Sequence, residues 1–228
     1  MLRRKRGNGM LLRLRVSLPD RPGVLGQVAR AFGVMGADIL QVTVLERDSG
    51  RAIDDFTVSW SGVLSAEELR ERVSVVPGTR VEAAWRTREV PGANPDYDLL
   101  GHVAADPGRA LPTLVDAVPD LVSADWAVAV SAADGALVHG SWQAPEILSW
   151  PEAWADRGTE LTAIRSSAVT LDGPLHVLSV PLPPLPGENI LHLVVARIQG
   201  PAFHRVELDR MTRLMELVEV VVRAGVRA

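Results

Sequence analysis

Two aspartates and a glycine-containing turn are the residues of this sequence best suited to bind a small charged molecule. The stretch Asp20-Arg21-Pro22-Gly23 precedes a run with helical spacing, and the first amides of a helix carry unpaired donors and partial positive charge. Such amides suit a carboxylate, while Asp20 and Asp38 could hold an ammonium group through charge-assisted hydrogen bonds. In the structural alternative, Asp20 caps the helix and Asp38 only stabilises a turn.

Few residues are placed to support catalysis or to bind a metal. His139-Gly140-Ser141 puts a possible base beside a possible nucleophile, but no third residue is evident to orient the histidine and no Gly-x-Ser-x-Gly motif is present. The five histidines lack the spacing and the carboxylate neighbours of a metal site. We therefore predict no catalytic residue, no metal site, no cofactor and no enzymatic activity.

Hydrophobic periodicity predicts the elements around the turn. Apolar residues alternate with arginine and serine over residues 12–18, which predicts a strand with one buried face. Apolar residues then recur every three or four positions over residues 24–35, which predicts an amphipathic helix that ends at Gly36. Alternation resumes over residues 39–45 and predicts a second strand.

The next residues complete a βαββαβ pattern. A hairpin turn at residues 48–50 leads into a third strand over residues 52–60, and a fourth strand is predicted over residues 81–85. The second helix begins with a capping box and a hydrophobic staple, formed by Ser65 with Glu68 and by Leu64 with Leu69. The predicted fold is α+β and ferredoxin-like, with both helices on one face of the sheet.

The other face of this sheet has a different composition. It is expected to be lined by Arg13, Arg15 and Thr57. Because a domain of this size leaves one sheet face without a helical cover, we expect that face to be a surface for a partner.

The second half of the chain has the pattern of another α/β domain. Residues 89–98 have the proline and glycine content of a linker. The elements predicted beyond it are a helix between residues 107 and 123, strands over 126–131, 137–143, 161–171, 175–182 and 190–198, and a long helix over 203–224. This order predicts an antiparallel sheet covered by helices.

Residues 11–88 resemble an ACT domain, a small ligand-binding module of amino-acid metabolism. The resemblance depends on the Asp-Arg-Pro-Gly-Val-Leu turn, the length of the helix, and the Gly36-Ala37-Asp38-Ile39 entry to the second strand. It implies that a free amino acid binds where the first turn of one copy meets the second strand of its neighbour in a homodimer. The residues it implies for this site are Asp20, Arg21, Pro22, Gly23, Val24 and Leu25 from the turn, and Asp38, Ile39 and Leu40 from the strand. Two carboxylates would disfavour an acidic amino acid.

Residues 99–228 resemble a GAF domain, which implies a central antiparallel sheet. The resemblance depends on Ser179-Val180-Pro181-Leu182, on the strand over residues 191–197, and on Pro201-Ala202-Phe203 before the last helix.

Composition limits the class of protein. A chain of 228 residues is most naturally two domains, and its net charge of −4 gives no overall attraction to nucleic acid. No apolar run reaches the roughly 18 residues needed to cross a membrane. The lack of cysteine suits a cytoplasmic location, and residues 1–10 are predicted to be a disordered basic leader.

Together these patterns predict a cytoplasmic, non-catalytic regulatory protein that binds a small amino acid between two ACT-like domains. The alternative is a protein-interaction module that docks on a partner enzyme or transcriptional regulator without binding an amino acid.

Overall fold

The computed structural model describes residues 10–60, 65–145, 164–170, 173–182, 190–198 and 200–225. The chain divides into two compact units, Met1–Pro91 and Gly92–Ala228. Most of the predicted basic leader, residues 1–9, and Leu64 of the predicted staple lie outside the described residues. Within these ranges, no helix is both long and apolar enough to cross a membrane.

The first unit has the predicted βαββαβ order of elements. They are β1 (Met10–Pro19), α1 (Val24–Val34), β2 (Asp38–Asp48), β3 (Arg51–Trp60), α2 (Ala66–Ser74) and β4 (Arg80–Arg86). The strands form a sheet in the order β2-β3-β1-β4, and each neighbouring pair is antiparallel. No strand of the described chain pairs with the outer edge of β2.

Local signals in the sequence account for the ends of these elements. Ser49 and Gly50 both have positive φ, at 50° and 75°, which is typical of a tight turn in the hairpin predicted at residues 48–50. Gly36 has a φ of 72° just after α1, the left-handed conformation typical of a residue that ends a helix. Both hydrogen bonds of the capping box between Ser65 and Glu68 are present.

The core of the first unit lies on the helix-bearing face of the sheet. Alternate residues of β1 pack against α1, α2 and β3, and the rings of Phe32 and Phe56 lie 5.4 Å apart. The main buried residues are Leu12, Leu14, Val16, Leu18, Val24, Val28, Phe32, Phe56, Val58, Leu69 and Val73.

The expectation of a free second face is wrong. Arg13, Arg15 and Thr57 do share a face by register, but all three are buried, and Arg15 is only 3% exposed. Arg15 donates two hydrogen bonds to the carboxylate of Asp55, at 2.9 and 3.0 Å, and Arg13 donates one to Glu89 at 2.6 Å. Cross-strand ion pairs, which periodicity does not reveal, make this face a second, polar core.

The second unit contains an antiparallel sheet and several helices. They are α3 (Pro95–Ala105), a 3₁₀ turn (Pro107–Arg109), α4 (Ala110–Leu121), β5 (Trp126–Ser131), β6 (Leu137–Gly140), β7 (Ile164–Thr170), β8 (Gly173–Pro181), β9 (Leu191–Arg197) and α5 (Arg205–Gly225). The described strands run in the order β6-β5-β9-β8-β7. Helix α3 includes residues 95–98 of the segment predicted to be a linker.

Both faces of this second sheet are apolar. Residues from α3, α4 and α5 pack against one face, around Leu178, Leu193 and Val195. The opposite face carries a smaller cluster that includes Trp126 and Val194. Arg197 is fully buried at the end of β9, where it donates hydrogen bonds to Glu207 and to the carbonyls of Val122, Ser123 and Pro201. This arginine therefore joins β9 to the end of α4 and the start of α5.

Candidate functional site

The turn between β1 and α1 has a backbone geometry that only glycine adopts easily. Gly23 is the N-cap of α1, with φ of 90° and ψ of −18°, and no side chain caps the helix. A β-carbon at Gly23 would meet nothing within 4 Å, so the backbone conformation and not the available space favours glycine here. The alternative in which Asp20 caps α1 is therefore wrong.

The start of α1 keeps hydrogen-bond donors available. The Val24 amide donates weakly to the Arg21 carbonyl, at 3.4 Å, and the Gln27 amide donates to Gly23 at 3.2 Å. No acceptor within the described residues is found for the amides of Leu25 and Gly26, which lie between them. Both residues are exposed, so the positive end of the helix dipole faces solvent and is suited to an anion such as a carboxylate.

Asp20 lies beside this helix start with its carboxylate accessible. Its amide donates to the Gly50 carbonyl at 2.8 Å, which holds the turn against the β2–β3 hairpin. Its Oδ1 is 3.8 Å from Nε of Arg47, and the two side chains are 37% and 65% exposed. Such a long and exposed ion pair contributes little to stability, so both groups can exchange this contact for a ligand at low cost.

Asp38, Ile39 and Leu40 lie at the far end of the sheet from this turn. Asp38 pairs with Ser59, whereas Asp48 at the other end of β2 pairs with Arg51. The two ends of β2 are therefore roughly 25–30 Å apart. One chain does not bring Asp20 and Asp38 together, and a site that uses both requires two copies.

The predicted strand residues differ in their exposure. Asp38 and Leu40 are exposed, and Ile39 is half-buried against the core. Leu40 falls at a register shift between Ile39 and Gln41, a bulge that displaces it from regular alternation. Further along β2, Val42 and Val44 are also exposed, so this strand presents apolar side chains next to its open edge.

The structure places a third aspartate, Asp54, at the same end of the sheet as Asp20. Asp54 lies on β3 between Val16 of β1 and Val44 of β2, on the face that carries the helices. It is only 4% exposed, and its Oδ1 has no hydrogen-bond partner. Burial raises the pKa of Asp54; the charge of Arg47 opposes this shift, and the charge of Asp20 adds to it.

Asp54 was missed by the sequence interpretation, although a signal was present. Asp54 and Asp55 are consecutive in β3 and lie between the apolar residues Ile53 and Phe56, so alternation must turn one of them toward the helices. Asp55 is bound by Arg15 on the opposite face. The carboxylate directed toward the apolar core was therefore the one that needed an explanation.

Other residues that could do chemistry are structurally occupied. His139 contacts Asp116 at 3.1 Å on the surface, and the buried Ser141 hydroxyl accepts a hydrogen bond from the Ala127 amide at 3.0 Å. Oγ of Ser179 lies 3.3 Å from Nδ1 of His192. Burial lowers the pKa of His192, which favours its neutral form. Across the described ranges, no three histidine, cysteine, aspartate or glutamate residues are grouped to hold a metal ion.

Comparisons with known proteins give only distant likenesses. No protein-family model matches the sequence, and no curated protein matches it. Among solved structures, the GAF domain of an Acinetobacter phosphoenolpyruvate-protein phosphotransferase is 14% identical with a TM-score of 0.39, and the match covers 60% of this chain and 97% of that one.

Two further structures match along most of their length. A putative glycine cleavage system transcriptional repressor is 13% identical with a TM-score of 0.31, over 96% of this chain and 93% of that one. The regulatory subunit of aspartate kinase from Thermus flavus is 12% identical with a TM-score of 0.26, over 95% of this chain and 92% of that one. At these TM-scores, the likenesses do not assign the chain to a family.

Proposed function

We propose that this protein is a cytoplasmic, non-catalytic regulatory protein whose first unit binds a small amino acid between two copies, as ACT domains do. The observation that carries this proposal is the uncapped start of α1 beside an accessible aspartate. The exposed amides of Leu25 and Gly26 can donate hydrogen bonds to the carboxylate of the ligand, and Asp20 can accept hydrogen bonds from its ammonium group. The residues of the site are then 20–25 of one copy and 38–40 of the other.

The open edge of β2 supports a paired arrangement. An unpaired strand edge is a template for another strand, and Leu40, Val42 and Val44 are exposed along β2. If two copies of β2 pair antiparallel about a two-fold axis, the first residues of one strand lie beside the last residues of the other. This arrangement would bring Asp38 of one copy to the end of the sheet where Asp20 of the other copy lies.

In this proposal, the ligand regulates by favouring the paired state. A ligand that contacts two copies binds the dimer better than the monomer, and this difference in affinity shifts the population toward the dimer. The second unit, with its GAF-like sheet and helices, then stabilises or relays that state.

The test is a thermal melting series with each of the twenty amino acids at millimolar concentration. A ligand at about 100 times its dissociation constant stabilises the folded state by about 2.7 kcal/mol, so at least one amino acid should raise the melting temperature clearly. Asp20→Ala and Asp38→Ala should each abolish this rise without unfolding the protein. Asp134→Ala, which removes an exposed carboxylate from a turn in the second unit, is the control and should keep it.

Sedimentation velocity tests the role of the β2 edge. Val42→Lys should weaken the dimer, because a charged residue beside an open strand edge opposes pairing. Val75→Lys introduces the same charge at an exposed position after α2 and should leave the dimer intact. Absence of any response to the amino acids in wild-type protein would refute the sensor function.

The exposed β2 edge also supports the second candidate, a module that docks on another protein. In that case Val42→Lys would abolish binding of a stoichiometric partner that copurifies with the chain, and no amino acid would change the melting temperature. The polar face of the sheet cannot serve as this docking surface, since Arg13, Arg15 and Thr57 are buried there.

A further inference from the structure

We infer that Asp54 is an additional ligand-binding residue of this site and takes the cationic nitrogen of the ligand. This inference rests on the proposed function and extends it, because it assigns the recognition of the amine to a residue of the same chain as the helix start. It also defines the ligand class as small molecules with a primary amine, and it excludes purely anionic ones.

The first argument is the state of the carboxylate. Buried polar groups in folded proteins nearly always have a hydrogen-bond partner, and an unpaired buried charge is costly. Asp54 is 4% exposed and its Oδ1 has no hydrogen-bond partner. By contrast, the adjacent Asp55 accepts two hydrogen bonds from Arg15. Asp54 therefore has acceptor capacity that the described chain does not fill.

The second argument is position. Asp54 lies one strand in from the open edge of the sheet, opposite Val44 of β2. It is close enough to Asp20 and Arg47 for their charges to act on its carboxyl group. The buried carboxylate thus lies at the end of the sheet that also holds the β1–α1 turn. On the β2 side of Asp54, Val44 and Arg47 are both exposed, so this is the side from which an amine would have to approach.

The third argument is charge. The guanidinium of Arg47 lies 3.8 Å from the carboxylate of Asp20, and its charge also acts on Asp54. Asp20 itself precedes the positive end of the α1 dipole. A zwitterion matches this pattern if its carboxylate binds the amides of Leu25 and Gly26 and its ammonium binds Asp20 and Asp54, together with Asp38 of the second copy. A bound ammonium would also stabilise the charged form of Asp54 and so oppose the effect of burial on its pKa.

The experiment compares three sets of probes on wild-type protein and on Asp54→Asn. The sets are the amino acids, the amines that lack their carboxylate, and the carboxylic acids that lack their amine. Asparagine preserves the shape of the side chain and removes its charge. The control is Glu46→Gln, which removes a charge from β2 at the same end of the sheet but on the opposite face.

We expect the amino acid that stabilises wild-type protein to bind Asp54→Asn roughly tenfold to a hundredfold more weakly, as loss of a charge-assisted hydrogen bond predicts. Binding to Glu46→Gln should change by less than about twofold. Unchanged binding to Asp54→Asn would overturn the inference and leave the proposed function standing. A carboxylic acid without an amine that binds as well as the amino acid would also overturn it.

The remaining outcomes separate the two proposals. If an amine without a carboxylate stabilises wild-type protein but not Asp54→Asn, while no amino acid acts, then the role of Asp54 stands and the amino-acid function fails. If no probe of any set acts on wild-type protein, both proposals fail. A carbon-13 titration of the Asp54 carboxyl group in wild-type protein needs no variant. Saturating ligand should lower its pKa, and an unchanged titration would contradict the inference.

Discussion

Replacing Asp55 with asparagine removes the acceptor of a buried ion pair and should strongly destabilise the first unit. The side chains of Arg15 and Asp55 are 4% and 3% exposed, and two hydrogen bonds of 2.9 and 3.0 Å join them. Arg15 also lies over the ring of Trp85, 5.7 Å from its centre, but a ring does not neutralise a guanidinium. Breaking a buried pair of this kind costs about 3–5 kcal/mol, a large part of the stability of a small unit.

The assay is urea unfolding, monitored by hydrogen exchange and mass spectrometry. Peptides from residues 10–60 report on the first unit and peptides from residues 92–145 on the second, which is necessary because two units need not unfold together. Glu82→Gln is the control, since it breaks a surface pair with Arg80 at 3.2 Å and should cost less than about 1 kcal/mol.

The double variant Arg15→Met with Asp55→Leu completes the test. Replacing a buried pair with apolar residues is often neutral or stabilising. Arg13, whose Nε lies 3.5 Å from Asp55, keeps its ion pair with Glu89 in this variant, so most of the loss should be recovered. A free energy of unfolding for Asp55→Asn within about 1 kcal/mol of wild type would refute the assignment of this face as a polar core. Failure of the double variant to recover stability would show that packing around Trp85, and not the stranded charge, dominates.

Three other variants test separate parts of the structure. Arg197→Met should destabilise the second unit by about 3–5 kcal/mol, because it removes the buried cation that pairs with Glu207 and binds three carbonyls. Arg205→Met, at an exposed position, should cost less than about 1 kcal/mol in the same exchange assay. Ser65→Ala should lower the stability of α2 by about 1 kcal/mol in urea unfolding through loss of its cap. Asp54→Asn should stabilise the unliganded protein at neutral pH in thermal melts. Because the folded-state pKa of Asp54 is raised, the charged form weakens folding as pH rises, and the advantage of asparagine should vanish below the ordinary value of 3.8.

The elements could be predicted where a single signal was strong. Strand β5 and helix α4 follow directly from their apolar spacing, and the β2–β3 hairpin follows from Ser49-Gly50. Helix α3 was not predicted, because Pro95 follows a proline- and glycine-rich stretch and only Leu99 and Val103 of this helix are buried. Proline is favoured in the first turn of a helix as well as in linkers, so composition alone did not separate the two.

The polar face of the first sheet shows a different limit. Residues of β3 are buried on both faces, so alternation of apolar and polar residues did not indicate which face was covered. The alternating pattern of β1 predicts that Arg13 and Arg15 are exposed. In the structure they are buried, and carboxylates on β3 and after β4 neutralise them. Pairing across strands depends on register, which hydrophobic spacing in one strand does not determine.

The sequence predicted only part of the candidate site, because the rest of the site depends on strand register. The turn could be recognised from Pro22-Gly23 before the helical run, and the structure adds that Gly23 itself is the N-cap. The distance between Asp20 and Asp38 could not be read from the sequence, since it depends on the register of β2 against β3. That register makes a second copy a requirement for any site that uses both aspartates.

The contrast between Asp54 and Asp55 argues for a role of the first in binding. Both are buried on the same strand, but Asp55 is held by Arg15 while Oδ1 of Asp54 has no partner. The stability of the fold explains why Asp55 is a carboxylate, because its loss would leave the buried Arg15 without this partner. Stability does not account for Asp54, because an asparagine of the same shape would avoid the cost of burying a charge. If Asp54→Asn raises the melting temperature and abolishes the response to an amine, then the free-energy cost of burying the Asp54 carboxylate is what its affinity for a cation requires.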